Sequence, residues 1–142
     1  MTATEPGPPR WQLRRHATAL AIARLAPAAV LPDWAVASGP IFAATWTATE
    51  TSLICPAAGV PAEVTQAGPF HVFEVQGPLD FTLTGVLSGL LGPLADQQIS
   101  VFTVSTFDTD WILVPTHQSD AAVAVWLGRG HAVSVDPDQE ES

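Results

Sequence analysis

Residues 99–115 read ISVFTVSTFDTDWILVP and place two apolar runs around a polar centre. The runs ISVFTVST and DWILV contain the β-branched and aromatic residues that are typical of strands. The central STFDTD contains hydroxyl and carboxylate side chains, which favour turns because they bond nearby backbone groups. The stretch therefore predicts a β-hairpin with a polar turn.

The sequence on either side of this hairpin predicts one more strand and one helix in each direction. FHVFEV (70–75) is a predicted strand that ends before Gly77-Pro78. A predicted amphipathic helix covers 82–97, and a second predicted helix covers 120–127 before the closing strand HAVSV (131–135). The helix over 82–97 rests on apolar residues at three- and four-residue spacing: Leu83, Val86, Leu87, Leu90, Leu91 and Leu94. The predicted order is β-α-β-β-α-β.

The first half of the chain contains a weaker copy of the same order. LAIARLAP (20–27) resembles HVFEVQGP (71–78), and TATETSLICP (47–56) resembles TFDTDWILVP (106–115). The second copy has eight more residues between its two landmarks, so we expect a shortened first helix over 28–38, weakened by Pro32. Such units bury their apolar faces in an α+β fold, as two sandwiches or with the two sheets joined edge to edge.

Composition sets the expected boundaries. We assign 1–14 to a flexible N-terminal tail, 15–68 to the shortened first unit, 69–135 to the second unit and 136–142 to an acidic tail. The chain has five arginines, no lysine and fourteen acidic residues, which give a formal net charge of -9. This charge has the wrong sign for nucleic acid and for anionic membranes, so we expect neither as a partner.

The sequence predicts a cytoplasmic protein. Arg24 interrupts the apolar run that follows Arg14 and Arg15, so we do not expect a signal peptide. No stretch approaches the roughly 18 apolar residues that span a bilayer. The single cysteine, Cys55, fits a reducing compartment.

Sequence motifs predict no catalytic centre, no metal and no cofactor. The four histidines lack metal-ligand spacing, and no second cysteine supports a zinc site. Ser88 and Ser105 do not lie in a nucleophile-elbow sequence, and Cys55 has no basic neighbour to activate it. We therefore expect the protein not to be an enzyme.

The stretch 77–115, GPLDFTLTGVLSGLLGPLADQQISVFTVSTFDTDWILVP, resembles the ACT domains of the CASTOR type, small tandem-ACT proteins that include the animal arginine sensors. The resemblance implies two ferredoxin-like βαββαβ ACT units, with antiparallel sheets and helices on one face. It also implies binding of a free amino acid between ACT units. By this resemblance Asp110 matches the acid of the hairpin and Gly85 the glycine at the helix entry. Leu83 stands where the arginine sensors have an acidic ligand contact, which argues against arginine as the ligand.

The residue chemistry gives the same location. A helix N-terminus has free N–H groups that attract a carboxylate, and hairpin acids would receive an ammonium group. Asp110 opens the apolar run WILV, where a charge needs a partner, whereas a turn alone would explain Asp108 and helix capping would explain Asp80 or Thr82. The candidate ligand-binding residues are Asp80, Phe81, Thr82, Thr84, Gly85, Val86, Ser105, Thr106, Phe107, Asp108, Thr109 and Asp110.

We therefore expect a small-molecule-binding regulatory protein whose ligand is a free amino acid or a similar molecule. Unpaired strand edges make a homodimer the expected assembly, and the downstream protein partner is unknown. The alternative is a constitutive protein interaction module with no small-molecule ligand. The first unit has Thr49 and Thr51 where the second has Asp108 and Asp110, so we expect at most one good site per chain.

Overall fold

A computed structural model describes residues 10–35, 38–77 and 85–137. Eight strands and two α-helices follow one another as β1 (Gln12–Arg15), β2 (Leu20–Leu25), β3 (Ala43–Trp46), β4 (Thr51–Pro56), β5 (Gln66–Val75), α1 (Val86–Asp96), β6 (Phe102–Ser105), β7 (Asp110–Pro115), α2 (Ser119–Gly128) and β8 (Ala132–Val135). Short 3-10 helices over Ala57–Gly59 and Thr116–Gln118 follow β4 and β7. None of the helices in the described ranges is long and apolar enough to cross a membrane.

All eight strands belong to one sheet, and the ten-residue β5 is its centre. One edge of β5 pairs with β2 near its start and with β1 near its end, while the other edge pairs with β7. The sheet then continues through β4 and β3 beyond β2, through β8 beyond β1, and through β6 beyond β7. The α+β class is confirmed, and a single sheet joins the two halves.

Both helices pack on one face of this sheet. Strand alternation points Phe73 and Val75 of β5 and Ile112 and Val114 of β7 toward this helix face, where they meet the buried side of α1 and α2. Trp126 of α2 is fully buried, packs edge-on against Phe73 at a ring separation of 4.8 Å and donates from Nε1 to the Leu90 carbonyl at 2.9 Å. This indole therefore joins both helices to the sheet.

The opposite face of the sheet has its own apolar cluster. Leu20, Phe70, Val72 and Leu113 are buried there, with Ile22, Ile54, Val104 and Trp111 packed around them. Since neighbouring residues of β5 alternate between this cluster and the helix face, both faces of the central strand are buried.

The second half of the chain has the predicted β-α-β-β-α-β order, as β5, α1, β6, β7, α2 and β8. Helix α1 begins at Val86, four residues later than the predicted start at 82. Its N-cap, Gly85, has φ +81°, which a helical residue cannot adopt, so the helix starts immediately after it.

The first half repeats the hairpin of the second half. Strands β3 and β4 and the 3-10 helix after them lie 59 residues before β6, β7 and their 3-10 helix, element for element. We call β2, β4 and β3 the first trio, and β5, β7 and β6 the second trio. Within each trio the first strand pairs antiparallel with the last strand of the hairpin.

The helix expected over 28–38 is not found, which corrects the sequence analysis. The described residues of this segment, 28–35 and 38, lie in turns and irregular backbone. The segment is tied to the first trio instead: Thr51 Oγ1 donates to the Ala26 carbonyl at 2.8 Å and accepts from the Ala29 amide at 3.1 Å. Trp46 Nε1 also donates to the Ala29 carbonyl at 2.9 Å. Pro27 and Pro32 explain the absence, because proline disrupts a helix that it interrupts.

The N-terminal segment is more ordered than the sequence suggested. Residues 12–14, assigned to a tail, lie in β1, which is inserted between β5 and β8 and pairs parallel with β8. Leu13 is 1% exposed in the helix-face core. At the other end, Asp136 of the expected acidic tail donates its backbone N–H to the Arg15 carbonyl at 2.9 Å. Both termini of the described chain therefore complete the sheet.

Candidate functional site

The predicted hairpin turn joins β6 and β7 and is closed by its own hydroxyls. The Thr106 amide donates to the Thr109 carbonyl at 2.9 Å, and Thr106 Oγ1 donates to the same carbonyl at 3.1 Å. Trp111 Nε1 lies 3.4 Å from Thr106 Oγ1. Threonine backbone bonding, typical of turns, therefore holds the loop in shape.

Thr109 fixes this turn to the end of β5. Its side chain is buried, with 8% of the residue exposed, and its hydroxyl donates to the Val75 carbonyl. The sequence analysis placed Thr109 among the ligand contacts, but its one hydroxyl proton is used inside the protein. The residue has a positioning role, because it holds the hairpin beside the point where the chain leaves β5.

Asp110 is half-buried on the helix face and faces Ser105 across the hairpin. The two residues are register partners, and Ser105 Oγ donates to Asp110 Oδ1 at 2.6 Å. No arginine or histidine in the described ranges forms an ion pair with Asp110. A half-buried carboxylate with one neutral donor has unused acceptor capacity, which suits a cationic ligand group.

The tip of the hairpin faces solvent. Phe107 is 94% exposed, and Asp108 is exposed beside it. Within the described chain, the Asp108 carboxylate forms no hydrogen bond to the turn backbone, and Thr106 closes the turn instead. Asp108 is therefore available as a second acidic group beside Asp110.

The start of α1 supplies the expected backbone donors. Gly85 has no side chain with which to cap the helix, so the amides of the first turn are not satisfied by their N-cap residue. Val86 packs its side chain into the core with 6% exposure, so it can contact a ligand only through its backbone. The predicted contacts Asp80, Phe81, Thr82 and Thr84, and the substituted position Leu83, lie outside the described residues.

A second polar cluster, which the sequence analysis missed, lies on the opposite face. His16 Nε2 is 2.9 Å from Glu74 Oε1, and its ring stacks on Trp111 at 5.6 Å. Arg14 forms two hydrogen bonds to Asp136, at 3.0 and 3.1 Å, and this guanidinium lowers the pKa of the Asp136 carboxyl. The cluster joins β1, β5, β7 and the segment after β8, so only the folded sheet reveals it. No group of three or more histidine, cysteine or acidic side chains in the described ranges is arranged to hold a metal.

The first trio has an open cavity at the place that corresponds to the candidate site. Its volume is about 250 Å³, and it is lined by Arg24, Leu25, Ala26, Pro27, Thr49 and Thr65. We call it the Arg24 recess. It lies where β2 ends beside the β3–β4 turn, as the candidate site lies where β5 ends beside the β6–β7 turn.

Comparison with known proteins supports an ACT domain in the second half. Residues 69–125 match the model of the ACT domain. No curated protein sequence matches the chain significantly.

Among solved structures, an Agobacterium tumefaciens protein studied by a structural genomics consortium is similar over 95% of this chain and 100% of its own, with 29% identity and a TM-score of 0.86. A Vibrio cholerae protein of unknown function, described as a possible transport protein, covers 83% of this chain and 88% of its own, at 15% identity and TM-score 0.68. The aspartokinase α and β subunits match at 14% identity and TM-score 0.56 over 80% of this chain and 93% of theirs. The last two likenesses show the fold alone.

Proposed function

We propose that this protein is a regulatory module that binds a free amino acid where β5 ends, α1 begins and the β6–β7 hairpin turns. The observation that supports this most is Asp110, a half-buried carboxylate that has Ser105 as its hydrogen-bond donor and no cationic partner in the described chain. It lies within the segment that matches the ACT domain. ACT domains are commonly regulatory modules that bind amino acids.

In this proposal the two charged ends of the amino acid bind different elements. The ammonium group binds Asp110, assisted by Asp108 and, from the segment before α1, Asp80. The carboxylate binds backbone amides at Thr84, Gly85 and Val86, where a helix N-terminus favours negative charge. Leu83 replaces the acidic contact of the arginine sensors, so the favoured ligand has a side chain other than arginine.

Regulation would follow from differential affinity. A ligand held by both the start of α1 and the hairpin favours the arrangement in which these elements are close together. A second protein that binds one arrangement better is then coupled to the amino acid concentration. We propose such a protein as the downstream partner.

We further propose a cytoplasmic homodimer of the tandem-ACT type that performs no catalytic step and does not bind nucleic acid or membranes. Strand β6 pairs only with β7 among the described strands, so its other edge has backbone groups available to a second copy. The net charge of -9 supports the absence of polyanionic partners.

The alternative is a constitutive protein interaction module, and one observation favours it. Phe107 at the hairpin tip is 94% exposed and Phe102 on edge strand β6 is 48% exposed. Aromatic side chains are enriched in protein interfaces, so this edge suits a permanent partner as well as a regulated one.

A thermal-shift screen against the free amino acids separates the two functions. A ligand at about 100 times its Kd stabilises the native state by about 2.7 kcal/mol, which raises Tm by roughly 5–10 °C for a chain of this size. We expect such a rise for one chemical group of amino acids, retained in the exposed-acid control Asp96→Ala and lost in Asp110→Ala. If no amino acid shifts Tm at millimolar concentration, the interaction-module function is supported.

A further inference from the structure

The Arg24 recess and the candidate site occupy corresponding places in the two trios. Arg24 pairs with Ser52 in the first trio, and Glu74 pairs with Trp111 in the second, 50 and 59 residues further along the chain. Arg24 therefore corresponds to Glu74. By the same correspondence of the hairpins, Thr49 corresponds to Asp108.

This correspondence reverses the charge. The second trio has two acids at these positions, whereas the first trio has a cation and a neutral hydroxyl. The Thr51 hydroxyl, at the position of Asp110, is already used by the backbone at Ala26 and Ala29. A site that favours cations in one half thus becomes a site that favours anions in the other.

Arg24 is available for an anion. Its closest acid is Glu50, whose Oε2 lies 4.0 Å from Arg24 Nε, and both side chains are substantially exposed, at 63% and 39%. Exposed ion pairs of this kind contribute little to stability, so an incoming anion displaces Glu50 at small cost. The backbone beneath is fixed, because the Arg24 amide donates to the Thr65 carbonyl at 2.9 Å.

The size of the recess limits its ligand. A volume of about 250 Å³ lies below the range of roughly 300–1,000 Å³ that is typical of sites for drug-sized molecules. Apolar Leu25, Ala26 and Pro27 form one wall, and the polar groups of Arg24, Thr49 and Thr65 form the rest. A guanidinium recognises the two oxygens of a carboxylate with two parallel hydrogen bonds.

We propose that the Arg24 recess binds a small organic carboxylate, with Arg24 as the ionic partner and the hydroxyls of Thr49 and Thr65 as further donors. This second site is independent of the amino-acid site at Asp110. It would give one chain two binding sites of opposite charge preference, one in each trio.

Titration of the intact 15N-labelled protein with succinate, at constant ionic strength maintained with chloride, tests the proposal. We expect saturable amide shifts at Leu25, Ala26, Thr49 and Thr65. Arg24→Gln should weaken succinate binding at least tenfold, because it removes a charge-assisted hydrogen bond. Glu50→Gln should tighten binding by removing the competing carboxylate. The matched control is Arg129→Gln, an exposed arginine at the end of α2, which should leave the affinity unchanged.

Three results would overturn the proposal: no saturable shift, shifts that Arg24→Gln leaves intact in a folded protein, or saturation by inorganic phosphate without saturation by succinate. Amino-acid binding is read from the separate amides of Ser105, Thr106 and Asp110. Failure of one site is therefore distinguishable from failure of the other.

Discussion

Leu20 of β2 lies directly opposite Phe70 of β5, and the two residues hold the same position in their own trios. Leu20 also pairs with Pro56, and Phe70 also pairs with Pro115, at the same point of the two hairpins. Two equivalent residues that pair with each other across an antiparallel contact imply an approximate twofold relationship between the trios. The first trio lacks the helical layer of the second, so the sheet is symmetric in its strands and asymmetric in its covering.

The buried indole of α2 should be the largest single contributor that a substitution reveals. Trp126→Ala removes a fully buried side chain, its packing on Phe73 and its bond to the Leu90 carbonyl. We expect a loss of about 3–5 kcal/mol in the free energy of unfolding, measured by denaturant titration. Phe107→Ala, at a 94% exposed position, should change it by less than about 0.5 kcal/mol. Equal effects of the two substitutions would contradict the assigned core.

Thr51 should hold the segment that replaces the first helix. Its buried hydroxyl bonds both the Ala26 carbonyl and the Ala29 amide. Thr51→Val preserves shape but leaves these groups unsatisfied, so we expect a loss of about 1–3 kcal/mol in unfolding free energy. Thr45→Val, on an exposed position of neighbouring β3, is the control with an expected change near zero. A neutral Thr51→Val would show that the segment is held by other contacts.

His131 should make stability depend on pH below neutrality. Burial lowers the pKa of its imidazole, and Arg10 and Arg129 lower that pKa further. Its Nδ1 accepts the Trp11 N–H at 3.0 Å, which requires the unprotonated nitrogen. The unfolded chain therefore binds the proton more readily, so stability is complete above the ordinary pKa of 6.5 and decreases as pH falls below it.

Denaturant titrations at pH 7.5 and 5.5 measure this dependence. We expect the loss between these pH values to be smaller in His131→Asn, whose amide oxygen can accept the same bond without titrating. The exposed His117→Asn should keep the original loss. The carboxylates with lowered pKa, Asp120 and Asp136, lose their contribution only as pH falls below the ordinary carboxyl value of 3.8, outside this interval. An unchanged loss in His131→Asn would refute the assignment.

The single thiol should be inert in the native protein. Cys55 is fully buried in β4, and burial raises its thiol pKa, so little thiolate is present at pH 7.5. We expect Ellman's reagent to modify Cys55 rapidly in denaturant and only at the rate of unfolding in native buffer. A second cysteine introduced by Ser100→Cys at an exposed position should react at once in native buffer. Rapid native labelling of Cys55 itself would contradict its burial.

The sequence predicted the second half of the fold well, because its signals are local. Apolar spacing over 86–96, the hydroxyl-rich turn at 105–110 and the strand residues on both sides each depend on neighbours in the chain. The same signals placed Asp110 at the start of β7, where the structure has it.

The features that the sequence did not predict depend on distant contacts. The tail residue Leu13 is buried only because β1 lies between β5 and β8. Thr109 is positioned by the Val75 carbonyl, 34 residues away, and no local pattern marks that bond. The repeat was aligned on Pro27 and Pro78 with an offset of 51, whereas strand pairing gives 50. In a strand, this one-residue difference exchanges the two faces.

The central claim is that Asp110 receives the ammonium group of a small ligand, and calorimetric titration with the amino acid selected by thermal shift tests it most directly. Asp110→Asn preserves shape and the bond from Ser105 but removes the charge, so we predict at least tenfold weaker binding. Asp96→Asn should bind like the original protein. The amino acid's carboxylate analogue, which lacks the ammonium group, should not compete. Unchanged affinity in a folded Asp110→Asn protein would contradict the account.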